Sequence, residues 1–251
     1  DRIRAEAGIA LRARVESLNH FPTASGLASS ASGFAALAAA ARHAAGLSFD
    51  AARTSALARA SSASAARSVF GGYVELPAGV PGQADLAAVQ IAPESHWDLR
   101  IVVAVTAEGR KAVGSTDGMT HTKVTSPYYE AWITSAPKLA DEVRAGLLAK
   151  DLGRVGPAME QSTLAMHACA MAAGPGLIYF QPATLAALAT VRGLRQDGAA
   201  EVYATMDAGP HVKALCRPEQ VSTVVKALEA TPGVLRTLVA SPGGGVEVED
   251  A

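Results

Sequence analysis

The clearest apolar run is Leu99 to Thr106 (LRIVVAVT), and a short stretch of this kind reads as a buried strand. Ahead of it, the spacing of apolar and polar positions predicts a helix over Asp1 to Ala7 and a strand over Leu11 to Leu18. In that strand Val15 and Leu18 are apolar but the alternation is loose. Phe21 to Gly26 reads as a turn feeding a long alanine-rich helix from about Leu27 to Ala45, closed by Gly46. Asp50 caps a second helix from Ala51 to about Ala60. The serine-alanine run Ser61 to Arg67 and Gly71-Gly72 then lead into a strand over Tyr73 to Leu76. A loop over Ala78 to Asp85 and a strand over Ala87 to Ile91 complete this part.

Past the central strand, Gly109 to Thr125 is polar and loop-like, and Ser126-Pro127 supplies the cap and first-turn proline of a helix reaching about Ala149. Asp151 opens another helix to Met171, Gly174 to Gly176 break it, and Pro182 to Arg195 forms the next, ending at Gly198. Strands over Glu201 to Met206 and His211 to Cys216 flank the turn Asp207 to Pro210. A helix over Pro218 to Ala230 and a strand over Val234 to Ala240 follow. Strands neighbour strands too often for a strictly alternating parallel fold, so the class is α+β. The shift from serine-rich to helix-rich sequence near residue 109 divides the chain into 1–108 and 109–251.

The 251 residues are 49% hydrophobic but only 5% aromatic, so the apolar content is mainly Ala, Val and Leu and suits close packing of small side chains. Twenty-two Lys and Arg against 23 Asp and Glu leave a net charge of −1, which draws the chain neither to nucleic acid nor to a membrane surface. Phe21 to Ala41 and Ala168 to Val191 are uncharged over membrane-spanning length, but proline, glycine and serine interrupt them and they read as soluble. No signal sequence opens the chain, and a first residue Asp1 inside a helix is expected of a fragment lacking its natural start. Cys169 and Cys216 can neither staple a fold nor fill a zinc site; they suit a reducing cytoplasm as two buried thiols.

Four polar stretches carry candidate chemistry. In Pro22 to Ala31 (PTASGLASSA), glycine and small residues ahead of a helix let backbone N–H groups approach a phosphate, with serine hydroxyls for phosphate oxygens or Mg²⁺. No Gly-Lys-Ser/Thr follows, so it is not a Walker loop, and helix capping alone is the bland alternative. Ser61 to Ser68 places Arg67 among hydroxyls, where a guanidinium can grip a carboxylate or phosphate or simply face water. Gly114 to Met119 is a polar loop after the buried strand, or an ordinary turn. Met206 to Pro210 holds Asp207 beside a Gly-Pro turn, where an Asp commonly serves only as turn former. Ser135-Ala136-Pro137-Lys138 matches an acyl-enzyme string without its companion motifs, and the six histidines show no metal spacing; His167 reads as a packed or hydrogen-bonded residue within a helix.

Taken in order, NHFPTASGLASSASGFAAL, SSASAARSVFGGYVEL, AVQIAPESHWDLRIVVAV, KAVGSTDGM and YATMDAGP closely resemble the diphosphomevalonate decarboxylases of the GHMP kinase superfamily, from about residue 4 to at least Leu215. The resemblance implies a two-lobed fold with a cleft, an N-terminal lobe like domain 2 of ribosomal protein S5 and a ferredoxin-like C-terminal lobe. It implies use of ATP and Mg²⁺ to phosphorylate the 3-hydroxyl of 5-diphosphomevalonate, then loss of phosphate and CO₂ to give isopentenyl diphosphate. Gly26, Leu27, Ala28, Ser29 and Ser30 match the ATP phosphate loop, with Ser30 toward the metal. Ser62, Ser64 and Arg67 match residues holding the carboxylate and diphosphate, Ser115 matches a diphosphate-binding serine, and Asp207 the acid at the 3-hydroxyl, with Arg67 beside it in catalysis.

A homodimer is implied as well, while the two thiols point to the cytoplasm and the charge balance to no nucleic acid or membrane partner. Relatives acting on 5-phosphomevalonate, or stopping at 3-phosphorylation of mevalonate, are the alternatives within the enzyme class; a non-catalytic nucleotide-binding fragment is the alternative outside it. Three departures stand out. His211 replaces the usual Asn after Asp-Ala-Gly-Pro, and Ser61 and Ala63 stand where glycine is common. The family's N-terminal strands, with a Tyr-Trp-Gly-Lys segment, are not in this sequence.

Overall fold

In the computed structural model, residues 1–19, 29–80, 82–83, 85–109 and 113–249 are described, Ser29 by its main chain alone. They form two units, one of Asp1–His96 with Pro242–Ala251 and one of Trp97–Ser241. Among the described residues no helix is long and apolar enough to cross a membrane.

The first unit is built from small residues. Helices α1 (Arg2–Ala7), α2 (Ser29–Ala44) and α3 (Ala51–Ser61) precede a 3-10 helix, Ala63–Val69, and an antiparallel pair of short strands, β1 (Tyr73–Glu75) and β2 (Val89–Ala92). Ala35, Ala38, Ala58, Ala65 and Val69 form its core, and methyl-sized side chains let α2, α3 and the 3-10 helix approach closely. The Asp50 carboxylate accepts from the Arg53 N–H and starts α3 as its pattern predicts. Arg42, only 3% exposed, is compensated by both oxygens of Glu6 at 2.7 and 2.8 Å, which ties α1 to α2. Leu11 to Leu18 is not a strand: it pairs with nothing among the described residues, and Leu11 and Leu18 are each 78% exposed. Loose alternation offers no continuous apolar face for a sheet to bury.

The second unit begins with β3 (Arg100–Val105), followed by α4 (Ser115–Thr125), α5 (Tyr129–Ala149), α6 (Leu152–Met171) and α7 (Pro182–Gln196). Then come β4 (Tyr203–Thr205), β5 (Val212–Cys216), α8 (Val221–Glu229) and β6 (Arg236–Ala240). The sheet runs β4-β5-β3-β6, every neighbouring pair antiparallel, with Val102 opposite both Ala214 and Val239. Helices crossing from β3 to β4 and from β5 to β6 around this order make the split βαβ arrangement of a ferredoxin-like domain. β3 lies at the sheet's interior, so this unit starts ahead of the boundary expected near residue 109. One sheet face (Val102, Ala104, Val202, Ala204, Val212, Ala214) packs on Ala187 and Val191 of α7 and Val224 and Leu228 of α8.

Polar Gly109 to Thr125 is a helix over most of its length, against the loop expected there. Thr120, Thr122 and Thr125 donate to the carbonyls of Thr116, Gly118 and His121, so their hydroxyl protons are used within the helix, while the Thr125 oxygen also accepts from the Gly174 N–H at 3.1 Å. Gly118 and Thr122 are buried. Ser126 closes this helix rather than opening the next: its hydroxyl donates to the Cys169 carbonyl at 2.7 Å, and α5 starts at Tyr129.

On the other face of the sheet, α6 lies against β4 through Gly156, where an added Cβ would enter the Tyr203 ring. That ring is 8% exposed and lies under the Arg195 guanidinium, 4.5 Å from its centroid, so it has little room to give. Gly156→Ala should gain about 1 kcal/mol of helix propensity and lose more to overpacking. A net loss of about 1–2 kcal/mol in urea denaturation is the expected result.

Candidate functional site

In the first unit, Ser62 ends α3 and opens the 3-10 helix from an extended backbone (φ −156°), and its hydroxyl lies 3.1 Å from that of Ser64. Ala65 and Ala66 are fully buried, which turns Arg67 outward to an exposed position one turn after Ser64. The buried Ser55 hydroxyl donates to the Ala66 carbonyl at 2.8 Å and accepts from the Ala88 N–H at 2.9 Å, locking this turn in place. A pinned backbone presenting two hydroxyls and a guanidinium suits an anion.

Gly71-Gly72, which follows, has a packing reason that the sequence hid. The chain returns there at 243–246: the Gly72 N–H donates to the Gly243 carbonyl at 2.8 Å, and the Val246 N–H to the Val69 carbonyl at 3.1 Å. A Cβ on Gly71 would lie 2.6 Å from the Gly245 nitrogen, and Gly72 has φ +69°.

Gly26, Leu27 and Ala28 lie outside the described residues. The described part of helix α2 is Ser29–Ala44; Ser30 is exposed and no acidic side chain lies in the first described turn. The dipole of the helix favours an anion toward this end, and no carboxylate in the first described turn competes with it.

In the second unit, Ser115 is the first residue of α4 and exposed, with Gly114 at the N-cap and Asp117 in the first turn. Asp207 follows β4 on a turn held from several directions. The Gly209 N–H donates to the Asp207 carbonyl at 2.7 Å. The Pro210 carbonyl accepts from the hydroxyls of Thr106 at 2.8 Å and Thr184 at 2.7 Å. Thr184, fully buried, also accepts from the Gln181 N–H and so caps α7. His211 is buried, and its Nδ1 accepts from the Thr106 N–H at 3.3 Å, so this histidine serves the turn from within.

Against this rigid main chain the Asp207 side chain is 63% exposed, and its Oδ2 is paired with the ammonium of Lys213 on β5. Behind it, His167 of α6 is 1% exposed, with Phe180 and Tyr179 at ring distances of 4.7 and 6.0 Å. Burial pulls the imidazole down to about pKa 4, partly opposed by a hydrogen bond to the Asp207 backbone and by that residue's charge.

The string around Ser62, Ser64 and Arg67 comes together as one local cluster, whereas Ser115 and Asp207 belong to the second unit. Lys213, Thr106 and Thr184 escaped the reading of the sequence. A charged residue inside the apolar run His211 to Cys216 was the signal for the first; nothing local marked the two threonines. Ser135 of the Ser-x-x-Lys string donates to the Trp132 carbonyl within α5, an ordinary helix contact. Cys169 and Cys216 are buried thiols as expected, and burial raises that of Cys216 to about 11. Among the described residues no group of three or more His, Cys, Asp or Glu could hold a metal ion.

Residues 1–87 match the model of a diphosphomevalonate decarboxylase-like N-terminal domain, and 101–237 that of a mevalonate 5-diphosphate decarboxylase C-terminal domain. The diphosphomevalonate decarboxylase of Candida albicans is 35% identical over 204 residues, 80% of this chain and 56% of its own length. The chain thus spans just over half of that relative. The phosphomevalonate decarboxylase of Haloferax volcanii is 35% identical over 250 residues, all of this chain and 75% of its own. A solved structure of MDDEF in complex with MVAPP, AMPPCP and magnesium superposes with a TM-score of 0.90 at 37% identity, covering 100% of this chain and 76% of that one.

The buried His167 makes stability depend on pH. Unfolded, its imidazole takes a proton near 6.5; folded, only near 4, so between these values the unfolded chain binds the extra proton. Its contribution is complete above about 6.5 and falls away as the pH drops toward 4. The loss is on the order of 2–3 kcal/mol at most. In denaturant melts at pH 7 and pH 4.5, His167→Phe should show a smaller drop than the parent.

Proposed function

The chain belongs to the diphosphomevalonate decarboxylase family, and from that membership we propose that it carries out ATP-dependent decarboxylation of 5-diphosphomevalonate to isopentenyl diphosphate. The observation that carries this reading is Asp207, an exposed carboxylate on a main chain immobilised by Thr106, Thr184 and His211. Positioning and charge neutralisation, rather than covalent catalysis, are what phosphoryl transfer requires of a protein.

ATP fits the N-terminal end of α2, where the helix dipole and an exposed Ser30 meet no acidic side chain in the first described turn. Mg²⁺ is suited by the Ser30 hydroxyl together with phosphate oxygens, the oxygen-rich and partly open shell that this ion prefers. Bound there, it would supply charge neutralisation on the phosphates. The residues of this chain do the rest. Arg67 binds carboxylate or diphosphate oxygens bidentately, assisted by Ser62 and Ser64, and Ser115 binds the diphosphate from the first turn of α4. Asp207 orients the 3-hydroxyl and accepts its proton. Phosphorylation makes that oxygen a leaving group on the carbon next to the one bearing the carboxylate, and loss of phosphate then drives loss of CO₂.

A second reading shares every step and differs in the substrate's phosphate count. The Haloferax volcanii relative, a phosphomevalonate decarboxylase, matches this chain throughout and over more of its own length than the Candida albicans one. A cytoplasmic homodimer is the setting that accompanies both readings.

Release of ADP and of CO₂, followed with 5-diphosphomevalonate and with 5-phosphomevalonate, separates the two substrates. Asp207→Asn keeps the shape and removes the charge, so ADP and CO₂ release should fall together by roughly 10²–10⁴-fold while substrate binding survives. ADP without CO₂ would move the role of Asp207 to after phosphorylation, and near-parent rates of both would make it a turn former. Arg67→Lys keeps the charge but loses the bidentate fork, and activity should drop about tenfold or more. Parent turnover in that variant would return Arg67 to a solvated side chain.

A further inference from the structure

Lys213 is an odd residue for its place. It lies on β5, an interior strand, between Val212 and Ala214, which are fully buried. On the opposite sheet face it stands beside Thr205 of β4 and Val103 of β3. Its side chain is 17% exposed, so most of its length is withdrawn from water and its ammonium is placed rather than freely swinging. A charge drawn that far into a sheet is costly unless it meets a counter-charge, and the one it meets is Asp207 Oδ2.

That contact links the interior of the sheet to the single group on which the proposed reaction turns. Asp207 itself is 63% exposed, and the bonds that fix its turn all act on the main chain; its carboxylate would otherwise sample several rotamers in water. Surface ion pairs are usually worth little because both partners must be ordered to form them. Here one partner is already ordered by the sheet, so the pairing orders the other.

We propose that Lys213 is a positioning residue for the carboxylate of Asp207, holding Oδ2 against the sheet so that Oδ1 is left facing the substrate hydroxyl. This inference rests on the reading of Asp207 given above. The proton inventory is simple. The 3-hydroxyl proton passes to Oδ1, its oxygen forms the bond to the γ-phosphorus of ATP, and the bond from that phosphorus to ADP breaks. The Asp207–Lys213 pair then changes from neutral to a net positive charge, beside a reacting group that carries negative charge. A fixed cation near that charge needs no reorganisation as the reaction proceeds.

The test is a double-variant cycle on the full chain, with Lys213→Met, Lys213→Arg, Asp207→Asn and the Lys213→Met/Asp207→Asn pair. Lys213→Met should lower kcat about tenfold or more while KM for ATP changes less than twofold, and Lys213→Arg should recover most of the loss. In the Asp207→Asn background Lys213→Met should cost nothing further, since the residue acts through that carboxylate. Equal losses in both backgrounds, or parent kcat in Lys213→Met, overturn the inference and leave the reading of Asp207 intact. Near-parent rates in Asp207→Asn sink both. A measurement independent of turnover guards against a variant that folds poorly. Acylation of Lys213 by an amine reagent, read by peptide mass spectrometry, should speed up severalfold in Asp207→Asn, and an unchanged rate shows that the pair does not hold in solution.

Discussion

Strand β4 is three residues long and lies at the edge of its sheet, paired on one side with β5 and clamped on the other by one ion pair. Glu160 of α6 and Arg195 of α7 face each other through two contacts, at 3.0 and 3.1 Å. Each also reaches the strand: a Glu160 oxygen accepts from the Ala204 N–H at 2.8 Å, and Arg195 donates to the Val202 carbonyl at 2.6 Å. An edge strand leaves alternate main-chain groups without a partner strand. Here a carboxylate and a guanidinium supply the acceptor and donor that another peptide would have offered. Two partly buried charges are an expensive way to do this unless every remaining valence is used. The main-chain bonds and the stacking of Arg195 on Tyr203 use them.

Asp207 inherits its precision from that clamp. It follows β4 by two residues, and the hydroxyls of Thr106 and Thr184, converging on the Pro210 carbonyl, fix the far side of the same turn. Between two such anchors a Gly-Pro turn has few conformations left, so a flexible-looking motif behaves as part of the sheet. His167, neutral behind the Asp207 main chain, adds no charge to compete with the carboxylate.

Much of this was legible beforehand. Asp50 and Asp151 announced their helices because an N-cap acts over three residues, and both accept the expected N–H. The hairpin of β4 and β5 and the interior strand β3 followed from short, mainly apolar runs flanked by turn residues. Helix α4 did not, because its threonines satisfy themselves on its own carbonyls and its fit depends on Gly118 lying under the Tyr179 hydroxyl, some sixty residues away in sequence. The grouping of Ser62, Ser64 and Arg67 was readable from their spacing, yet its Gly-Gly extension answers to a distant segment. The turn at Asp207 could be read from its sequence; a charge inside the run of β5 flagged Lys213, but only strand register, which sets it opposite Thr205, brings it to Asp207.

That distant segment has a consequence for how the protein is made. Residues 243–246 bond to Val69 and Gly72, so the whole of the second unit is an insertion between the body of the first and its closing strap. As the polypeptide leaves the ribosome, Val69 and Gly72 emerge long before the main-chain partners at 243–246 that bond to them. The second unit, continuous from Trp97 to Ser241, has no such wait. Until residues 243–246 are made, the Gly71-Gly72 backbone lacks the partners that cover it.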